Sequence, residues 1–201
     1  MISAIVFDFG GVLCKLIDRQ YRRKWEKKLS LSEGELEKII FESRIAQHSL
    51  RGDKSEEDVW EWTKSYFGLD KIQVFELQND FWEGHEVDID LYNLCLILKS
   101  RYKLGIISNF WKDGRSKIVN HFKLNIHIFN STIISSEHKI LKPNKSIYRL
   151  SSKELITPLN EILFIDDEER NVKGALNAGM KAFRFQSASA LVEHMKGMDL
   201  L

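Results

Sequence analysis

The chain opens on a continuous apolar run, residues 2–7 (ISAIVF), rich in β-branched side chains and broken by a Gly10-Gly11 pair. A short apolar run without polar alternation predicts a strand buried on both faces of a parallel sheet. From Leu16 to Gly84 the pattern turns helical, with nothing that resembles a strand. Residues 18–29 carry a stripe at Tyr21, Trp25 and Leu29, and Ser32 with Glu35 three residues on predicts a capping box ahead of Leu36, Ile39 and Ile40. Asp53 or Ser55 starts a further helix bearing Val59, Trp60, Trp62, Tyr66 and Phe67, and residues 71–82 predict another.

From Asp90 the pattern alternates. It predicts helix 90–100, strand 103–108, helix 111–122, one or two short strands within 126–134, helix 144–154, strand 161–165, helix 168–178, strand 180–184 and helix 187–196. Strands alternating with helices of this length imply a parallel sheet with right-handed crossovers, that is, a doubly wound α/β fold. The expected division is an α/β core domain of residues 1–15 and 86–201 and an inserted all-helical domain of residues 16–85.

Composition narrows the function classes. The 201 residues are 43% hydrophobic with 12 Phe, 5 Trp and 5 Tyr, too much bulky apolar surface for a disordered chain. Thirty Lys and Arg against 29 Asp and Glu leave a net charge of +1, with no footprint for nucleic acid or an anionic membrane. Cys14 and Cys95 lack CxxC spacing and are too few for a disulfide framework, which points to a reducing compartment. Asp8 interrupts the opening apolar run, no basic segment precedes it, and no stretch approaches the ~18 apolar residues of a membrane span. A cytoplasmic protein is expected, with neither nucleic acid nor membrane as partner. The six histidines form no i, i+4 pair, so zinc has no support. Trp60, Trp62 and Trp82 read as helix core rather than a base-stacking platform, and Arg22-Arg23-Lys24 with Lys27-Lys28 as a solvated helix face.

Ligands of open α/β sheets bind beyond the carboxyl ends of the strands. There the sequence places Asp8 before Gly10-Gly11, Ser108-Asn109, Lys142-Pro143 and Asp166-Asp167. Singly, each has a bland reading: a turn aspartate, a helix N-cap, a solvated lysine, a pair of acids complementing a helix dipole. Together they suit phosphoryl transfer through an aspartyl-phosphate. Asp8 would attack phosphorus. Asp166 and Asp167 would hold Mg²⁺, which favours a few carboxylates plus the phosphate. Ser108 and the N–H that follows would bind a phosphoryl oxygen, and Lys142 would stabilise charge on that group and on Asp8.

The segments IVFDFGGVL (5–13), GIISNF (105–110), KP (142–143) and FIDDEERNVKGALNAGM (164–180) resemble the motifs of the haloacid dehalogenase-like (HAD) hydrolase superfamily over nearly the whole chain. Among its members the chain is similar to sugar-phosphate phosphatases and to the phosphatase domain of epoxide hydrolases. The resemblance implies a Rossmann-like core, a small helical cap of the first type at 16–85, and Mg²⁺ held by Asp8, Asp166, Asp167 and the Gly10 carbonyl. It also implies substrate contacts from Ser108, Asn109 and Lys142, and a small phosphorylated metabolite as partner of a monomer or homodimer. Phosphatases of the family usually carry a second Asp two residues after the nucleophile, as general acid and base; here that position is Gly10. Asp18, His48 and His85 are candidate substitutes by chain proximity. Without that Asp, anomeric, aryl or acyl phosphates, which leave readily, should serve better than alkyl esters. The dehalogenase branch also lacks it but needs no metal or acidic pair, and a protein that binds phosphorylated ligands without turnover is a third reading. Cys14 reads as a buried residue beside the sheet edge, with its nearness to Asp8 in sequence leaving a reactive thiol as the alternative.

Overall fold

In the computed structural model, which describes residues 1–201, the opening run forms strand β1 (Ala4–Phe7), buried at all four positions. The chain then makes β2 (Cys14–Leu16) and five helices: α1 (Gln20–Lys28), α2 (Glu35–Glu42), α3 (Arg44–Leu50), α4 (Glu56–Phe67) and α5 (Lys71–Trp82). It returns through β3 (His85–Val87) and α6 (Ile89–Leu98) to β4 (Lys103–Ser108), α7 (Gly114–Asn120), β5 (Ser131–Ile134), α8 (Ser135–His138) and α9 (Lys145–Glu154). Strand β6 (Ile162–Asp166), α10 (Glu169–Ala178), β7 (Lys181–Arg184) and α11 (Ala188–Gly197) complete it. No helix is long and apolar enough to cross a membrane.

Five strands form one parallel sheet in the order β5-β4-β1-β6-β7, with Phe7 in register with Ile106 on one side and Ile165 on the other. Successive residues of β1 point to opposite faces. Ala4 and Val6 pack with Ile147, Tyr148 and Ala175 of α9 and α10, while Ile5 and Phe7 enter a second core that includes Leu91 and Cys95 of α6 and Leu191 of α11. Helices on both faces explain the absence of polar alternation in the strands. The chain leaves β1 toward β4 and leaves β6 toward β7, so the order reverses between β1 and β6. That reversal opens the crevice where ligands of such sheets sit.

Several elements differ from the sequence expectation. Residues 14–16 and 85–87 pair antiparallel, Cys14 opposite Val87 and Leu16 opposite His85, as a two-stranded stem for the helical segment. Three residues per strand are too few for an alternation to show. Residues 126–134 contain one strand, preceded by a 3₁₀ turn at Ile126–Ile128. Ser32 does not cap α2: Gly34 precedes the helix at φ +84°, and only the Glu35 carboxylate reaches back to the Ser32 N–H, at 2.8 Å. Ser55, rather than Asp53, caps α4 in a full capping box with Asp58.

The helical segment does not keep a separate core. Trp25, Leu36, Trp60, Leu77 and Phe81 belong to the same apolar cluster as Ile5, Phe7 and Ile106. Its centre is Trp111, from the loop after β4, whose ring lies 5.3 Å from Phe41, 6.0 Å from Trp60 and 5.4 Å from Trp82. Polar ties flank it. Glu56 Oε1 accepts from Trp60 Nε1 and Trp82 Nε1 at 3.0 Å and pairs with Lys117 Nζ at 2.5 Å. Ser135 Oγ donates to the Leu50 carbonyl at 2.8 Å.

Candidate active site

The ends of β1 and β6 bring Asp8, Asp166 and Asp167 together, with ligand oxygens of all three within 4.8 Å of one another. Lys142 Nζ lies between two of them, 2.7 Å from Asp8 Oδ1 and 2.8 Å from Asp166 Oδ2. Each is placed by its own neighbours. Asp8 Oδ1 accepts from the Phe9 N–H at 2.6 Å. Asp166, fully buried, accepts from Asn171 Nδ2 at 3.1 Å on both oxygens and from the Glu168 N–H at 2.8 Å. Asn109 returns both halves of its amide to the Lys142 backbone, Oδ1 accepting from N–H at 2.9 Å and Nδ2 donating to C=O at 3.1 Å. Its amide therefore fixes the lysine loop, and Asn109 also lines the cavity at the site.

Two glycines permit this closeness. A Cβ on Gly11, at φ +75°, would stand 2.3 Å from Asp167 Oδ2, and one on Gly174 would stand 2.5 Å from the Pro143 ring. The small residues after the acidic pair thus let α10 close on the Lys142-Pro143 loop. Gly10 is different: it is exposed, and a Cβ there would meet nothing within 4 Å.

Three carboxylates around one ammonium leave an excess of negative charge in a buried place. Burial pushes the Asp8 carboxyl up to about 8, with Lys142 opposing and Asp166 and Asp167 adding to the rise. Burial and Asp166 likewise raise Asp167. For Lys142, burial acts to lower the ammonium, but Asp8 and Asp166 overcome it and hold it above its ordinary value. A hard divalent cation suits this donor set, all oxygen and over-charged by design of the loop ends. Asn171 Oδ1, on the amide whose Nδ2 holds Asp166, is buried without a hydrogen-bond partner.

The site opens into a cavity of about 810 Å³ that also touches Ser108, Trp82, Trp111, Arg19, Arg22, Glu37 and His85. Ser108, the last residue of β4, is buried at its edge, as expected. Of the three candidate proton-transfer groups, only His85 lines the cavity. Asp18 is turned onto Gln20, accepting from its N–H at 2.8 Å, and His48 sits 3.7 Å from Asp53. Cys14 is buried and its thiol is pushed up to about 12 by burial, so it is inert rather than reactive. Arg22 corrects the solvated-face reading of its basic cluster: it is buried, donates to the Phe81 carbonyl at 3.2 and 3.1 Å, and stacks 4.4 Å from the Phe81 ring.

His85 is pushed down to about 4, first by burial and then by Arg22. A histidine depressed in the folded state takes up its proton earlier in the unfolded chain, so it lowers stability as pH falls from about 6.5 toward about 4. Urea midpoints should show this as an acid limb that is shallower in His85→Gln; an unchanged limb would mean that other groups cause it.

The sequence profile of the haloacid dehalogenase-like hydrolases matches residues 2–179. Among solved structures, an enzyme of this family from Bacteroides thetaiotaomicron, in complex with magnesium and inorganic phosphate, is 22% identical, with 95% of this chain and 99% of that one covered at a TM-score of 0.78. A predicted HAD-like family hydrolase from Porphyromonas gingivalis is 23% identical over 98% of both chains, TM-score 0.74. The L-2-haloacid dehalogenase of Xanthobacter autotrophicus, with chloropropionic acid covalently bound, is 22% identical over 100% of this chain and 85% of that one, TM-score 0.64. With the motif residues gathered at the switch point of the sheet and nearly the whole chain matched, the protein belongs to the haloacid dehalogenase-like hydrolases.

Proposed function

We propose that the protein is a Mg²⁺-dependent phosphatase of small phosphate monoesters, acting through an aspartyl-phosphate on Asp8. The observation that carries this reading is the cluster of three acids around Lys142. A nucleophilic carboxylate alone needs no second and third acid beside it, and a cation site does. Asp8, Asp166 and Asp167 would hold the ion, with the Gly10 carbonyl at the same loop. Bound there, Mg²⁺ supplies charge neutralisation between the carboxylate and the phosphate.

The chain's own groups do the rest. The Phe9 N–H and Lys142 orient the Asp8 carboxylate, whose second oxygen attacks phosphorus to form the acyl phosphate as the P–O bond to the leaving group breaks. Ser108 at the strand end donates to a non-transferring phosphoryl oxygen, and Lys142 stabilises the charge that gathers on the others. Water then attacks phosphorus and frees Asp8. The helical segment over the cavity serves as the cap, residues 16–85, and excludes bulk water from the phosphoryl group. A small phosphorylated metabolite fits the enclosed volume.

Phosphate release from p-nitrophenyl phosphate and glucose 1-phosphate tests this in Mg²⁺ and in EDTA, with Asp8→Asn as control. Turnover should need Mg²⁺, vanish in Asp8→Asn, and leave phospho-Asp8 trapped by rapid quench. Turnover that survives EDTA or the Asp8 substitution would overturn the assignment. Gly10 favours one second reading, a haloacid dehalogenase. Its mark would be chloride released from 2-chloropropionate in EDTA.

A further inference from the structure

Opposite the three acids, the cavity wall is built by α1 and α2. Glu37 lies there with its carboxylate clamped between two arginines: Oε1 is 3.0 Å from Arg19 Nη1, and Oε2 pairs with Arg22 Nη1. Arg22 cannot swing away, because its Nε and Nη2 are tied to the Phe81 carbonyl and its plane rests on the Phe81 ring. Arg19 also faces Glu33 at 3.3 Å and Glu26 at 3.6 Å, yet its Nε and Nη2 are buried with no hydrogen bond formed. A further cavity neighbour, His85, lies 3.4 Å from Arg22 and is held neutral in the working pH range. The two arginines are thus matched by Glu37 and Glu26, with Glu33 shared with Arg23. Lys38 with Glu42 on α2, and Arg170 with Glu168, also line the cavity as exposed residues of opposite charge, so its buried wall presents fixed donors and acceptors but no spare positive charge.

We infer that Glu37 is a specificity-determining residue: it neutralises Arg19 and Arg22, so the cavity accepts leaving groups that are uncharged and hydrogen-bonding and rejects those bearing a second anionic group. This rests on the phosphomonoester reading of Asp8 and adds to it which half of phosphomonoester chemistry the cavity admits. A carboxylate on the leaving group would meet the Glu37 carboxylate where both are partly desolvated, an arrangement that penalises it. A hydroxyl at the same point can donate to Glu37.

Glucose 1-phosphate and glucuronic acid 1-phosphate share their anomeric leaving oxygen and differ by CH₂OH against a carboxylate, which isolates this effect. Wild type should favour glucose 1-phosphate in kcat/KM by roughly tenfold or more, and Glu37→Gln, which leaves Arg22 without its counter-charge and Arg19 with Glu26 and Glu33 alone, should erase or reverse that ratio chiefly through KM. p-Nitrophenyl phosphate, without a group at that end, should stay within about twofold in the variant, which a merely structural role of the clamp would not allow. The same ratio is read as binding to Asp8→Asn in Mg²⁺, by quenching of Trp82 and Trp111, both of which line the cavity. Loss of turnover with Glu37-dependent discrimination intact in binding would sink the phosphatase reading alone. Equal preference for the two sugars in wild type, a ratio unmoved by Glu37→Gln, or parallel loss on all three substrates overturns the role given to Glu37.

Discussion

Gly10→Asp is expected to raise the turnover of an alkyl ester such as phosphoserine by about 10²–10⁴-fold, the usual contribution of a positioned acid–base group. Position 10 can take the side chain: no atom lies within 4 Å of its Cβ, and its φ is not among the positive ones, so a carboxylate enters without strain. It would project into the cavity that Gly10 already lines. An alkoxide leaves poorly unless it is protonated as the P–O bond breaks, and Gly10 has no proton to give. A glycosyl leaving group at the anomeric carbon needs that proton less, so glucose 1-phosphate should gain less. The comparison is kcat for both substrates in both proteins, with the phospho-Asp8 fraction measured by rapid quench. Equal gains would place the missing proton transfer in the attack of water, and no gain on either would mean that Gly10 is not the deficit.

Lys142→Met should cost about 3–5 kcal/mol of stability in EDTA at alkaline pH, the range seen when one partner of a buried ion pair is removed. Lys142 is 4% exposed and is the only cation within bonding distance of both Asp8 and Asp166. The loss should depend on pH in a stated direction. Asp8 has a raised folded pKa, so between about 4 and about 8 the folded protein holds a proton that the unfolded chain releases, and stability falls as pH rises through that window. Below it Asp8 is neutral with or without the lysine, so the substitution leaves no charge on Asp8 unmatched. Above it the wild type carries three carboxylates against one ammonium, and the variant carries three against none. Urea midpoints at pH 6 and pH 9 should therefore diverge more at the higher value, and Mg²⁺ should close part of the gap. A loss independent of both would make the lysine a packing residue.

The residues at the strand ends were legible in the sequence because a doubly wound sheet puts every strand's carboxyl end on one edge. Asp8, Ser108 and the 166–167 pair needed only the right strands to be recognised, and those strands are continuous apolar runs, whereas Lys142 lies beyond α8 and is brought to them by the loop before α9. The wall facing them was not legible. Arg22 stands in a basic run whose neighbours are solvated, and nothing local shows that its guanidinium meets a carbonyl 59 residues away. Glu37 lies on the polar side of an amphipathic helix, where a cavity wall and a solvent face have the same composition. Trp111 was assigned to a helix, though it lies in the loop before α7, because an aromatic at the junction of two packed layers carries the same periodic signal as one inside a helix. The α3 helix of seven residues is too short to set a period of its own against α2.

The shared apolar core has a consequence for how this protein could have diversified. An insertion that keeps its own core can be exchanged between relatives as a cassette, with substrate preference changing while the body stays intact. Here Trp60, Phe81 and Trp82 of the insertion close around Trp111 of the body, and Glu56 of the one neutralises Lys117 of the other. A foreign helical segment would leave Trp111 in water and Lys117 without a counter-charge. Changing specificity in this protein is therefore expected to be easier by point changes on the wall, at positions such as Glu37, than by replacement of the helices that carry it.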